Sequence, residues 1–278
     1  MSDPLHIEQG GHRTWLKWHR GRRKASDPVF TGSRILEAMR LGASVEVDLV
    51  IHAGHGCAIL HNFSLEEETT GSGLVRETPA AVLRDLHLRG SDGQPIADKV
   101  MLLEDLCGLL AQNQPNPDAL LQLDFKEDCA ALTPEVVANF GATVGPVARS
   151  LILSGGDFDA ISLLANSAPN LRTGYDPCYG ESLARLKATG DFSAFINDAL
   201  NTAPDAEMIY LAYDIVLEAD AAGFDIVAPI HAAGRRIDAW TIRTVDDTTL
   251  PKVRRLLALK VDQITTDDPE GLIAALAS

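Results

Sequence analysis

Glu46 and Asp48 stand two apart in the run 44–50, SVEVDLV. Residues two apart in a strand share a face, so both carboxylates project from one side of an otherwise apolar run. Such a pair is costly unless positive charge sits beside it. A second apolar run, Cys57 to Leu60, follows a glycine-bearing turn and ends on His61. The stretch 44–62 is therefore a hairpin-like unit carrying two acids and an imidazole. Asp124 and Lys126 repeat the two-apart spacing in the run 119–126, ALLQLDFK, and His19-Arg20 closes the run 14–19. Three carboxylates from two strands suit a hard cation, Mg²⁺ or Ca²⁺ with Mn²⁺ as a further candidate, rather than zinc. Arg20 and Lys126 add fixed positive charge suited to phosphate oxygens. His19 and His61 can act as base and acid on opposite sides of a displacement. The set asks for metal-assisted hydrolysis of an anionic ester.

Something must bring these residues together. Runs at 14–19, 44–50, 119–126, 150–154, 171–174, 207–211, 236–242 and 262–265 read as eight strands with helical segments between them. That alternation predicts a (β/α)₈ barrel, whose site lies at the C-terminal ends of its strands. A doubly wound open sheet is the alternative, but no glycine-rich dinucleotide fingerprint follows the first strand. The chemistry-bearing residues fall at successive strand ends, and the seventh strand adds Trp240 and Ile242, or Thr241 and Arg243, depending on register. About 63–117 interrupts the rhythm and reads as an insertion after the second strand. Its triplet Glu66-Glu67-Glu68 reads as a solvated face, where repulsion is screened. Residues 1–13 read as a polar lead-in, and 224–230 suits either a strand or a helix. Asp267 and Asp268 read as caps of a closing helix, and His52, His55 and Cys57 as turn residues rather than zinc ligands.

A chain of 278 residues, 46% hydrophobic, is ample for one large core and is read here as a single domain. With 24 basic against 39 acidic residues its formal charge is −15, a poor match for nucleic acid or an anionic membrane surface. A small anionic substrate stays compatible, because local charge can oppose net charge. Four dispersed cysteines without a CxxC pair read as buried, reduced thiols of a cytoplasmic protein. No signal-peptide core is visible at the start, and no apolar run approaches the ~18 residues of a membrane span.

The pieces Trp18-His19-Arg20-Gly21, Gly42 to Asp48, Ile59-Leu60-His61-Asn62, Thr69 to Gly73, Leu123-Asp124-Phe125-Lys126, Ala239-Trp240-Thr241-Ile242 and Thr265 to Pro269 span nearly the whole chain. In that order they resemble the glycerophosphodiester phosphodiesterase family. The resemblance implies a TIM barrel with a small insertion after strand two, and hydrolysis of glycerophosphodiesters to glycerol 3-phosphate and an alcohol. It implies His19 and His61 as the paired catalytic histidines and Arg20 as a phosphate contact. Glu46, Asp48 and Asp124 become the ligands of one divalent metal, and Lys126 and Trp240 line the substrate site. A lysophospholipase D-like activity on lipid-linked diesters and a non-catalytic binding barrel are the alternatives. Two positions depart from the pattern: the family usually has Glu where this chain has Asp124, and His-Asp where it has His61-Asn62. The first shortens a ligand by ~1.5 Å; the second removes a negative charge beside the histidine. Arg243 replaces a common Asn and is expected near the substrate.

Overall fold

The computed structural model describes residues 3 and 5–277. The lead-in is not featureless: β1 (His6–Gln9) turns at Gly10-Gly11 and pairs antiparallel with β2 (His12–Trp18). Both turn residues have positive φ, 58° and 76°, the left-handed region that glycine enters without a Cβ penalty. Residues 1, 2 and 4 of that lead-in lie outside the described residues.

From β2 the chain alternates as the sequence predicts. Helix α1 (Gly32–Leu41) ends on Gly42, left-handed at φ 88°, and leads into β3 (Ser44–Ile51). β4 (Cys57–Ile59) folds back antiparallel on the end of β3, closing the expected hairpin. The insertion holds a short helix, α2 (Ala80–Leu83), and a hairpin of β5 (His87–Arg89) and β6 (Pro95–Lys99). Helix α3 (Leu103–Asn113) returns the chain to the barrel through β7 (Leu120–Phe125), α4 (Pro134–Val144), β8 (Leu151–Gly155) and α5 (Phe158–Ala165). Next come β9 (Arg172–Tyr175), α6 (Gly180–Thr189), α7 (Phe192–Thr202), β10 (Met208–Ala212) and α8 (Tyr213–Ala221). The ambiguous stretch becomes α9 (Val227–Ala232); Pro229 falls in its first turn, where a missing N–H costs nothing. β11 (Arg236–Ile242), α10 (Leu250–Ala258), β12 (Gln263–Thr266) and α11 (Pro269–Ala277) complete the chain.

β2, β3, β7, β8, β9, β10, β11 and β12 pair in parallel in that order, and β12 pairs with β2 to close an eight-stranded TIM barrel. The alternation in β3 assigns its faces. Val45, Val47 and Leu49 are wholly buried in the layer under the helices, and Glu46 and Asp48 line the barrel mouth. Register aligns Asp48 with Asp124 and Asp124 with Ser154, so the carboxylates of two strands share one level. Part of the barrel interior is polar: Lys17, Gln122, Asp238, Gln263 and Thr265 are all buried there. Among the described residues no helix is long and apolar enough to cross a membrane. Cys57, Cys107 and Cys178 are buried and free as expected, whereas Cys129 is free but exposed.

Candidate active site

β2 stops at Trp18, and the next three residues turn across the barrel mouth. Arg20 adopts φ 53°, ψ 34°, a left-handed conformation that costs a non-glycine residue on the order of 1 kcal/mol. Two contacts hold it there. The Arg20 backbone N–H donates to Glu46 Oε2 at 2.8 Å, and its carbonyl accepts from Phe30 N–H at 2.8 Å. The turn places His19 and Arg20 in the lining of a cavity shared with Glu46, Asp48, His61, Asp124, Lys126 and Trp240. All eight residues singled out from the sequence thus meet at one place.

Within the cavity, the three carboxylates form one cluster with the cations nearest to them. Glu46, Asp48 and Asp124 each bring one oxygen into a group within 4.8 Å of one another. Lys126 Nζ lies 2.6 Å from Asp48 Oδ1 and also bonds Asp124, while Arg20 Nε lies 3.1 Å from Asp48 Oδ2. Two cations thus face three carboxylates. Burial, and then the neighbouring Asp48, raise Glu46 well above the usual carboxylate range. Asp48 is held low by Lys126 and Arg20 against the opposing effect of burial. The cluster therefore lacks positive charge, and its donors are all hard oxygens, so it fits a divalent cation. Asp124 is steadied from the other side, its Oδ1 accepting from Ser154 Oγ at 2.8 Å.

His19 brings the first correction. Asp267 does not cap the closing helix; its Oδ1 lies 2.5 Å from His19 Nδ1 and also accepts from Arg22. Asp268 alone caps, accepting from Gly271 N–H at 2.8 Å. Burial holds His19 below its ordinary range, although Asp267 pulls the other way. The acidic triplet brings a second, partial correction: Glu66 and Glu67 are exposed as read, Glu68 is partly buried, and each carboxylate has a partner. Glu66 accepts from Gly73 N–H at 2.7 Å, Glu67 from the Asn62 amide at 2.7 Å, and Glu68 from the backbone N–H groups of His61 and Asn62 at 3.0 and 2.8 Å. Asn62 Oδ1 in turn lies 2.9 Å from His61 Nδ1.

On the far wall Trp240 stacks on Tyr179, ring centres 6.1 Å apart and 12° from parallel, and its buried Nε1 has no hydrogen-bond partner. Thr241 and Arg243 line the cavity too, while Ile242 faces the core. Asp176 is a lining residue that the sequence reading missed. Its Oδ1 accepts from Cys178 N–H at 2.8 Å, and burial pushes its carboxyl up to about 8. Between the ordinary carboxylate range and that value the folded chain keeps a proton the unfolded chain has lost. Stability there falls as pH rises, by at most ~1.4 kcal/mol per pH unit from this group. Asp176→Asn keeps an acceptor and abolishes the titration. Measured with chelator, its melting temperature relative to wild type is expected to climb between pH 5 and 8; a gap independent of pH would refute the assignment.

The profile of the glycerophosphoryl diester phosphodiesterase family matches residues 19–271. The chain belongs to this family. It is accordingly a phosphoric diester hydrolase by family. No curated protein matches it. Solved structures similar to this barrel include a protein of Silicibacter pomeroyi provisionally assigned as a glycerophosphoryl diester phosphodiesterase. That likeness has 21% identity, covers 99% of this chain and 96% of the other, and has a TM-score of 0.72. A glycerophosphodiester phosphodiesterase from Agrobacterium tumefaciens has 19% identity, coverage of 94% and 99%, and a TM-score of 0.66. An Oleispira antarctica phosphodiesterase, solved with the product sn-glycerol-3-phosphate, has 20% identity, coverage of 95% and 96%, and a TM-score of 0.65. At these identities the likeness carries the fold, and the family match carries the chemistry class.

Proposed function

We propose that this chain hydrolyses glycerophosphodiesters to glycerol 3-phosphate and an alcohol, in a metal-dependent reaction. The observation that carries this is the meeting of His19 and His61 with three carboxylates, Arg20 and Lys126 around one cavity. The Oleispira neighbour's bound product is of the matching chemical class. Arg20 and Lys126 contact the phosphodiester oxygens, and Trp240 walls the substrate. Glu46, Asp48 and Asp124 would hold a divalent cation, which would supply positive charge to the phosphoryl group. His19 is the base: its Nδ1 is tied to Asp267, burial favours its neutral form, and Nε2 is free to accept a proton from the nucleophile. That nucleophile is water or the substrate hydroxyl next to the phosphate. His61 gives a proton to the departing alcohol. Asp267 steadies the imidazolium of His19, as Arg20 and Lys126 steady the added charge of the transition state.

The leaving group has its own space. A groove of about 450 Å³ shares His61, Asp124, Lys126 and Tyr179 with the first cavity. Phe63 and Tyr179, both about half exposed, stand in its wall with Asp128 and Asp157, whereas Glu127 there is already paired with Arg76. Aromatic faces beside carboxylates favour an alcohol that carries an ammonium group. The test is release of glycerol 3-phosphate from a panel of glycerophosphodiesters and a lysophospholipid, each with Mg²⁺, Ca²⁺, Mn²⁺ or chelator. We expect turnover with metal, its loss with chelator, and a kcat/KM about two- to fivefold higher for choline and ethanolamine diesters than for uncharged ones. Turnover on no diester with any metal would sink the proposal, and selective turnover of the lysophospholipid would replace its substrate.

A further inference from the structure

Asn62 bridges two side chains that leave it little freedom. Its Oδ1 lies 2.9 Å from His61 Nδ1, and its Nδ2 lies 2.7 Å from Glu67 Oε2. A carboxylate only accepts, so Glu67 demands that the amide nitrogen face it. The amide oxygen then faces His61, and a carbonyl oxygen also only accepts. The proton of neutral His61 must therefore sit on Nδ1. Glu68 removes the remaining slack, since its carboxylate accepts from the backbone N–H groups of both His61 and Asn62.

We propose that Glu67, acting through Asn62, is a positioning residue that fixes the tautomer of His61. The relay runs from the exposed carboxylate of Glu67 to a ring nitrogen two hydrogen bonds away. Its consequence rests on the acid role proposed for His61. With Nδ1–H held by Asn62, the proton handed to the departing alkoxide leaves from Nε2. The Nε2–H bond breaks, the O–H bond of the alcohol forms, and neutral His61 is left with its remaining proton on Nδ1. A relay of neutral amide and outer carboxylate thus does the orienting that a carboxylate beside the histidine could do directly.

The decisive variant is Glu67→Lys, because an ammonium only donates. It would turn the Asn62 oxygen outward and its NH₂ toward His61, leaving Nδ1 as acceptor and the proton on Nε2. Nitrogen-15 spectra of ring-labelled histidine in the full chain should show His61 protonated on Nδ1 in the wild type and on Nε2 in Glu67→Lys. A histidine frozen in the wrong tautomer can lose up to ~10⁴ in rate, so kcat should fall at least about 10-fold with KM little changed. Asn62→Asp offers acceptors on both sides. In that background Glu67→Lys should leave the Nδ1 tautomer intact and kcat within about threefold of the Asn62→Asp parent. A merely structural loop contact would not reverse its effect in this way. The inference is overturned if wild-type His61 carries its proton on Nε2, if Glu67→Lys leaves the tautomer unchanged, or if it costs the same kcat in both backgrounds. The spectra do not depend on turnover. If no diester is hydrolysed yet the tautomer inverts, the assigned reaction fails and this relay stands.

Discussion

His19→Ala is expected to lower kcat on a glycerophosphodiester by about 10²-fold or more, with His61→Ala costing a similar factor. The two losses should differ in pH behaviour. His19 sits in a buried pairing in which burial and Asp267 oppose each other. As a base it must be neutral, so the acid limb of kcat/KM should lie below the ordinary histidine range. Asp267→Asn removes the group that pulls His19 upward, so the limb should move to still lower pH while the rate drops. Replacing His19 leaves Asp267 bonded to Arg22, so that acid is not stranded and the barrel should stay folded. Steady-state rates across pH, with a melting curve for each variant, check both points. Near-normal turnover by His19→Ala would end its assignment as base.

The barrel was readable because its strands are short apolar runs set off by glycines, prolines and polar turns. The run read as 44–50 is Ser44–Ile51 in the structure, and that read as 171–174 is Arg172–Tyr175. β1 escaped because His6–Gln9 is polar and half exposed, held by pairing rather than burial. The β5–β6 hairpin escaped for a like reason, its alternation being carried by charged residues around a loop at Gly90 to Gln94. At the site, two-apart acids on an apolar strand announced Glu46 and Asp48, since such a pattern is too costly to be accidental. Asp267 gave no comparable signal. Two adjacent acids before a proline fit a helix cap, and only the turn after β12 decides which one faces the barrel. The acidic triplet misled in part, for the opposite reason. A run of like charges suggests solvent, but backbone N–H groups of a tight loop satisfy carboxylates just as well, and those partners carry no sequence mark.

Lys17→Ala is expected to destabilise the fold by about 3–5 kcal/mol, although Lys17 touches no proposed catalytic group. Its side chain is 2% exposed and that of its partner Asp238 is 0% exposed, with Nζ 3.1 Å from Oδ2. Lys17 also bonds Gln122 Oε1 and lies 4.4 Å above the Tyr210 ring. Asp238 accepts from Gln263 Nε2 at 2.6 Å and from Thr265 Oγ1 at 2.7 Å, so the pair is well satisfied within the barrel. Removing the lysine alone would strand a buried carboxylate without its cation. For a chain of this size the loss should lower Tm by roughly 10 °C. Combining Lys17→Met with Asp238→Asn removes both charges and keeps volume, so it should recover most of that loss. The same column reaches the site, because Gln122 Nε2 donates to Ser154 Oγ at 2.8 Å and Ser154 in turn holds Asp124. Lys17→Ala should therefore also weaken metal affinity, which calorimetric titration can read at a temperature where the variant is folded. Equal stability of Lys17→Ala and wild type would mean that Asp238 is neutral or solvated, and that the polar barrel interior is not held together by this pair.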